Sequence, residues 1–364
     1  MTQTIIPFGN VKAQKKWSSN LAYDVLHKSY FSKKFVGKGD NNIIEQKTEL
    51  ESDKGEKISF DLSVQLRGGP TQGDARVKGK EENLRFYTDE VIIDQTRKSV
   101  SAGGRMTRKR TAHDMRVVAR NRLGDYWSKY IDELCFIYLS GSRGVNEDYI
   151  EPMGFTGHGG NPIQAPDAQH ILYGGDATSK ATIVAADKMT RRVIERACTK
   201  ARMMRALDPT TANMMPVTIE GEDRYCTVMS PNQEQDLRTD EGNGWLDVQK
   251  AAAAAEGSKN RIFKGGLGMI NNVILHSHES VVRFNDYGTG SDLPAARALF
   301  MGRQAAVCAY GTTKGQRFMW KEEMEDYDNE PTVVAGTIVG YKKTRFNGKD
   351  FGIMALDTYA TPAG

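Results

Sequence analysis

The chain has 364 residues, 50 Lys and Arg against 46 Asp and Glu, a net charge of +4, 39% hydrophobic and 26% charged residues and 36 glycines. That length supports one large or two medium domains with a real core, the composition suits a loop-rich mixed α/β protein, and so small a basic excess does not mark a nucleic-acid binder. No apolar run reaches the roughly 18 residues of a membrane span. The N-terminal MTQTIIPFGNVKAQKKW lacks the apolar core and cleavage site of a secretory signal. The four cysteines (Cys135, Cys198, Cys226, Cys308) are scattered without CxxC spacing and read as reduced, mostly buried thiols of a protein folded in a cytoplasm.

Residues 1–54 are polar with dispersed apolar anchors, among them Ile5, Phe8, Trp17, Leu21, Tyr23, Val25, Tyr30, Phe31 and Phe35. Such a segment cannot form its own core and reads as an arm lying on something else. Next comes a ribbon. Apolar residues alternate from Lys57 to Leu66 through Ile58, Phe60, Leu62 and Val64, and a second strand runs from Leu84 and Phe86 to Val91, Ile93 and Asp94. Gly68, Gly69, Pro70, Gly73 and Gly79 lie between them, so the ribbon has a long charged tip. A two-stranded ribbon is marginal in water without a third partner. Nothing adjacent in sequence offers that cover, and a neighbouring subunit is the expected source.

From about Thr107 to Tyr138 the spacing predicts one long helix. Met115, Val118, Ala119, Leu123, Trp127, Tyr130, Ile131, Leu134, Cys135 and Tyr138 recur at steps of three and four, and Gly141 is the stop. Loops rich in glycine follow to Ser179, then a second helix over about 182–206. Pro216–Met229 reads as a hairpin turning at 220–223, and Ser230-Pro231-Asn232-Gln233 opens a short helix. Trp245–Ala255 is helical. Val273–Leu275 and Val281–Arg283 read as strands, and Ala295–Tyr310 leaves helix and strand both open. Near the end Val333, Ala335, Thr337, Val339 and Tyr341 alternate, Asn347-Gly348 marks a tight turn, and Phe351, Ile353 and Ala355 alternate on the return. This last hairpin is expected beside the long helix.

The chemistry-bearing groups are thin. His276-Ser277-His278-Glu279 would put two histidines on one face of a strand, but a zinc site needs a third ligand, and His158 and His170 lie far off in loops. Solvent-facing strand histidines are the expectation, and a metal-dependent hydrolase centred on His276 and His278 is the enzymatic alternative. His113 and Asp114 point about 100° apart on a helix and cannot act on one substrate together. Ser142 and Ser230 lack the nucleophile-elbow spacing, and Gly265–Gly268 lacks the features of a phosphate loop. No enzyme activity, metal or cofactor is expected.

Charge placement says more. Arg105, Arg108, Lys109, Arg110, Arg116, Arg120 and Arg122 crowd the start of the long helix, where positive charge opposes the helix dipole. Lys188, Arg191, Arg192, Arg196, Lys200, Arg202 and Arg205 form a second basic cluster, and Glu322–Glu330 is an acidic block. Opposite blocks in one chain suit self-association, one subunit's basic face meeting another's acidic loop. The first cluster equally suits non-specific contact with DNA phosphates, and a small oligomeric nucleic-acid binder is a further alternative.

The order of arm, long ribbon, long helix, mixed domain and returning hairpin resembles the major capsid proteins of tailed bacteriophages, with the Hong Kong 97-type α+β fold. Local stretches narrow the resemblance to the N-four-like podophage major capsid family. They are Gly55–Phe60, Gly73–Glu82, Val91–Arg97, Met106–Thr111, Ser230–Gln233, Asp236–Arg238, Trp245 with Gln249–Ala252, Ile262–Gly268 and Gly340–Phe346. The resemblance implies an N-terminal arm at 1–54, an E-loop ribbon at 55–103 and a spine helix with peripheral domain at 104–210. An axial domain follows at 211–325, and a C-terminal hairpin at 326–364 returns to the peripheral domain. It implies hexamers and pentamers tiling an icosahedral shell around double-stranded DNA in the virion, assembled in the bacterial cytoplasm. Portal, scaffolding and cement proteins are the implied partners, with no membrane. The ribbon residues Ile58, Phe60, Leu62, Val64, Leu84, Phe86, Val91 and Ile93 would be intersubunit contacts.

Overall fold

The computed structural model describes residues 28–51, 54–63, 66, 68–110, 115–207, 214–219, 221–240, 262, 266–312 and 317–360. The aromatic-bearing stretch before residue 28, the helix expected at 245–255, His113 and Asp114, Val64 and Gly265 lie outside the described residues.

In chain order the elements are α1 (Tyr30–Lys34), β1 (Val36–Gly37), β2 (Ile44–Lys47), β3 (Lys57–Ser63), β4 (Phe86–Ile92), β5 (Asp94–Ser101), α2 (Arg105–Arg110) and α3 (Met115–Ser140). Then come β6 (Ile171–Tyr173), α4 (Arg191–Leu207), β7 (Val217–Ile219), β8 (Glu222–Met229), α5 (Pro231–Thr239), β9 (Gly268–Ile270) and β10 (Val273–Ser277). The chain finishes with β11 (Arg283–Tyr287), β12 (Leu293–Met301), β13 (Ala306–Tyr310), β14 (Met319–Glu325), β15 (Glu330–Lys343) and β16 (Ile353–Tyr359).

Two large sheets carry the fold. One runs β1-β2-β13-β15-β14, with β5 on the other side of β15; the second runs β9-β10-β8-β12-β16-β6, with β11 on β12 and β7 on β8. Helix α3 touches strands of both sheets. Its C-terminal half, Tyr130–Ser140, is therefore buried all round, as expected of a helix with no solvent face. One core joins Leu123, Trp127, Ile131, Leu134 and Tyr138 to Val228 and Leu299 of the second sheet and to Cys308, Ala335 and Tyr341 of the first. Helix α4 covers the opposite face of the second sheet through Val193, Ile194, Ala197, Ala201 and Met204, packed on Tyr225, Phe300 and Leu356.

Many local readings hold. Gly141 ends α3 with φ +68°, and a Cβ there would lie 2.1 Å from the Gln164 carbonyl, so only glycine fits. Ser230 and Gln233 form a reciprocal capping box at the start of α5. The β7–β8 hairpin turns where expected, the four cysteines are buried and free, and β15 buries Val333, Ala335, Thr337, Val339 and Tyr341.

Others need correction. The second helix begins at Arg191, not near 182. The preceding segment is committed elsewhere, since the Asp187 carboxylate accepts the Val184 N–H and its carbonyl accepts the Tyr359 N–H. Val118, placed on the buried helix face, is 41% exposed. The strand expected at 281–283 starts at Arg283. Ala295–Tyr310 resolves into β12 and β13, because β12 is central, paired on both sides by β8 and β16. The segments flanking Asn347-Gly348 do make a short paired turn, Arg345–Phe346 with Lys349–Asp350. Beyond it they part: β15 joins the first sheet, beside α3, while β16 joins the second.

Candidate assembly surface

Strands β3 and β4 pair antiparallel from Lys57↔Ile92 to Ser63↔Phe86. Their base is covered by the chain itself, which corrects the expectation that a neighbour must supply all the cover. Ile58 and Val91 are 7% and 0% exposed, packed on Val307 and Ala309 of β13 with Ile93, Leu50 and Phe60 around them. Burying each is worth roughly 1.5–3 kcal/mol. Polar clamps fix the same base. The Asn161 side chain accepts the Ile92 N–H at 2.9 Å and donates to the Ile92 carbonyl at 2.7 Å, acting as a third strand one residue long. Asp89 takes the Lys342 ammonium and the Arg345 N–H. Gly340 lets this happen, since a Cβ there would sit 2.1 Å from the Ile92 carbonyl. Neither Asn161 nor Asp89 stands out in the sequence, because each needs its partner strand in place before its role exists.

Beyond Ser63 the ribbon leaves the body. Every described residue from 68 to 86 except Thr71 is exposed. Leu66, Leu84, Phe86 and Val77 are 54%, 61%, 58% and 62% exposed. Leu62 and Phe60 are half-buried, Phe60 edge-on to Phe346. Of the ribbon residues named from the sequence, Ile58, Phe60, Val91 and Ile93 thus belong to the chain's own core, Leu62 is half-buried, and Leu84 and Phe86 are exposed.

The basic cluster and the acidic block meet within one chain, which corrects the expectation that each waits for another copy. Arg116 donates to Glu322 at 2.6 Å. Arg105 and Arg108 donate to the Asp328 and Asn329 carbonyls, and the Arg105 N–H to the Asn329 side chain. Arg120 is half-buried, whereas Lys109, Arg110 and Arg122 are exposed, Arg122 lying 3.8 Å from Asp125. The second basic cluster is similarly engaged, with Lys188 on Asp236, Arg191 on Glu195 and Lys200 on the Ile171 carbonyl.

The arm is tied to α3 at Asp132. This buried carboxylate accepts the Ser29 hydroxyl at 2.8 Å, the Tyr30 N–H at 2.8 Å and the Phe31 N–H at 3.0 Å. Burial pushes its pKa up to about 6, while those three donors pull the other way. Phe31 and Phe35 then sit fully in the core.

The histidines are not solvent-facing. His276 is 0% exposed, its Nε2 donates to the Ile262 carbonyl at 2.8 Å, and its Nδ1 faces the Lys34 ammonium at 3.5 Å. Both ring nitrogens are spent. His278 lies past the end of β10, accepts the Ser280 N–H and packs on Tyr30 and Phe136. Burial lowers its pKa. Among the described residues no group of three His, Cys, Asp or Glu is placed to hold a metal ion, so the hydrolase alternative has no support.

The architecture has known relatives. A family model described as phage capsid protein matches residues 5–362. A major capsid protein of Pseudomonas phage KPP25 is 24% identical over 355 residues, covering 89% of each chain. The capsid structure of Ralstonia phage GP4 is 64% identical over 100% of both chains with a TM-score of 0.89. That of Cyanophage Pam1 is 20% identical over 92% of this chain and 93% of its own, with a TM-score of 0.72. The chain belongs to the phage capsid protein family, as a major capsid protein of the Hong Kong 97-type α+β fold.

Proposed function

We propose that copies of this chain assemble as hexamers and pentamers into the icosahedral head shell of a tailed bacteriophage, enclosing double-stranded DNA, and that the ribbon at 55–103 lies across a neighbouring copy. The observation that carries this is the contrast along one ribbon. Its base is held by core packing and side-chain clamps, while its tip projects with Leu66, Val77, Leu84 and Phe86 uncovered. Exposed apolar groups of this kind mark interaction surfaces. The role is structural, without catalysis or cofactor. The arm at 1–54, the peripheral domain at 104–210, the axial domain at 211–325 and the C-terminal segment at 326–364 are the working division of the subunit. A portal, a scaffolding protein and a cement protein are the partners such a shell requires or accepts. Assembly takes place in the host cytoplasm. Lys109, Arg110 and Arg122 supply exposed positive charge for non-specific contact with packaged phosphates.

Expression of the chain with negative-stain microscopy tests the reading. Closed shells of uniform diameter support it. Monodisperse monomer under every assembly condition, with scaffolding protein present, overturns it.

A further inference from the structure

Lys343, the last residue of β15, is cut off from solvent. It and Asp350 are each 1% exposed, and its ammonium donates to Asp350 Oδ2 at 2.8 Å. A lysine is seldom enclosed so completely. Both partners are fixed through their backbones: Lys343 is the ladder partner of Ala306 in β13, and the Asp350 N–H donates to Asp167 Oδ2 at 2.7 Å. The turn between them closes at Asn347-Gly348, with φ of 52° and 71°. Phe346 and Phe351, on either side of that turn, are buried and pack edge-on with ring centroids 5.3 Å apart.

An imidazole completes the cluster. Asp167 Oδ2 also accepts from His170 Nδ1 at 2.9 Å, so one carboxylate oxygen holds both the Asp350 backbone and the ring. A carboxylate only accepts, which puts the proton on Nδ1 and leaves Nε2 with its lone pair. His170 is fully buried, and among the described residues its Nε2 has no partner. Asp350 Oδ1 has no aligned hydrogen bond either, although Arg345 Nε lies 3.0 Å away. Burial lowers the Lys343 pKa and raises that of Asp350. Both shifts favour the neutral pair, an amine lone pair against a carboxylic acid.

We propose that Lys343 and Asp350 join as a side-chain amide within the folded chain. The step balances with no further reactant. Lys343 passes one proton to Asp350, and Nζ attacks Cγ. A second nitrogen proton then moves by way of His170 Nε2 to the hydroxyl that leaves, so a C–N bond forms, a C–O bond breaks and one water is released. Groups held in contact react as though at an effective molarity of ~10⁵ M or more, and a dry surround favours loss of the water. The bond closes a ring over residues 343–350, at the point where the chain passes from the first sheet to the second. It forms in the single subunit and does not depend on assembly.

Mass spectrometry of the denatured full chain tests the bond. The wild-type mass should fall one water, about 18 Da, below the sum of its residues, while Lys343→Met should show the full mass. A trypsin digest of the wild type should contain a branched fragment joining Lys343 to Asp350. Full mass in the wild type, with Lys343 and Asp350 recovered in linear peptides, leaves an ion pair only and overturns the proposal. A missing water mapped to any other position overturns it as well. His170→Gln should slow the loss of water in freshly made protein about a hundredfold; an unchanged rate overturns the relay. The wild-type mass needs no variant, so a substitution that fails to fold does not spare the proposal.

Discussion

Arg297 and Asp357 face each other across β12 and β16 as cross-strand partners, joined by two hydrogen bonds of 2.7 Å with side chains 9% and 1% exposed. The same guanidinium donates to the carbonyl of Ser140, the last residue of α3, and to the Tyr287 hydroxyl. One arginine thus closes the end of the long helix onto the second sheet, placing positive charge at the negative end of the helix dipole. Burial alone would lower the Arg297 pKa, but Asp357 and Tyr287 outweigh it and hold the guanidinium charged.

Removing one member of a buried pair strands the other. Asp357→Asn or Arg297→Met should each destabilise the subunit by roughly 3–5 kcal/mol, while Arg297→Met with Asp357→Leu should cost clearly less than their sum. Urea unfolding of the dissociated subunit measures this; strict additivity would contradict the coupling.

Asp132 gives a pH signature of unusual sign. The carboxyl titrates near 3.8 in the unfolded chain and about 6 in the folded one, raised by burial. Its contribution is therefore complete below about pH 4 and falls as pH rises through 6, by at most ~3 kcal/mol. Asp132→Asn removes the titration, so the stability difference between wild type and variant should shrink from pH 4 to pH 7. A difference that is flat, or that grows with pH, would contradict the assignment.

Gly141→Ala should cost more than about 1–3 kcal/mol, because it adds both left-handed strain and a methyl in contact with the Gln164 carbonyl. Gly154→Ala, where a Cβ meets nothing within 4 Å, should stay within about 0.5 kcal/mol. Thermal unfolding of the two variants in parallel checks both.

The long helix, its glycine stop, the Ser230 capping box and the alternation in β15 were legible because each depends on neighbours within a turn or a strand. Four features were not. Asp132 and Glu133 are buried charges on a helix face, explained only by the Ser29 hydroxyl and by N–H groups brought from residues 30–31 and 150–151. The base of the ribbon finds its cover on β13, more than two hundred residues away. The segment before α4 is held by a bond from the Tyr359 N–H of β16 to the Asp187 carbonyl, and the basic helix meets the acidic block through the Arg116–Glu322 contact, spanning 206 positions in sequence. Periodicity identified the ribbon and charge placement both charge blocks, but neither carried information on which of them close within one chain.

That distinction separates the basic residues by role. Arg116→Ala should loosen the α3–β14 contact by under about 1 kcal/mol, since the pair is only partly buried. Lys109→Ala, Arg110→Ala and Arg122→Ala together should leave empty shells intact and lower the heat stability of DNA-filled heads. Loss of empty shells by the triple variant would instead place these residues at a subunit contact. Heating filled and empty particles side by side distinguishes the two.

Hydrogen exchange at residues 68–86, compared between dissociated subunits and intact shells, bears most directly on the borrowed cover for the ribbon tip. Amides of the tip should exchange fast in the free subunit and be strongly protected in the shell, while those of Ile58 and Val91 should be protected in both. Equal, rapid exchange of 68–86 in both states would contradict it.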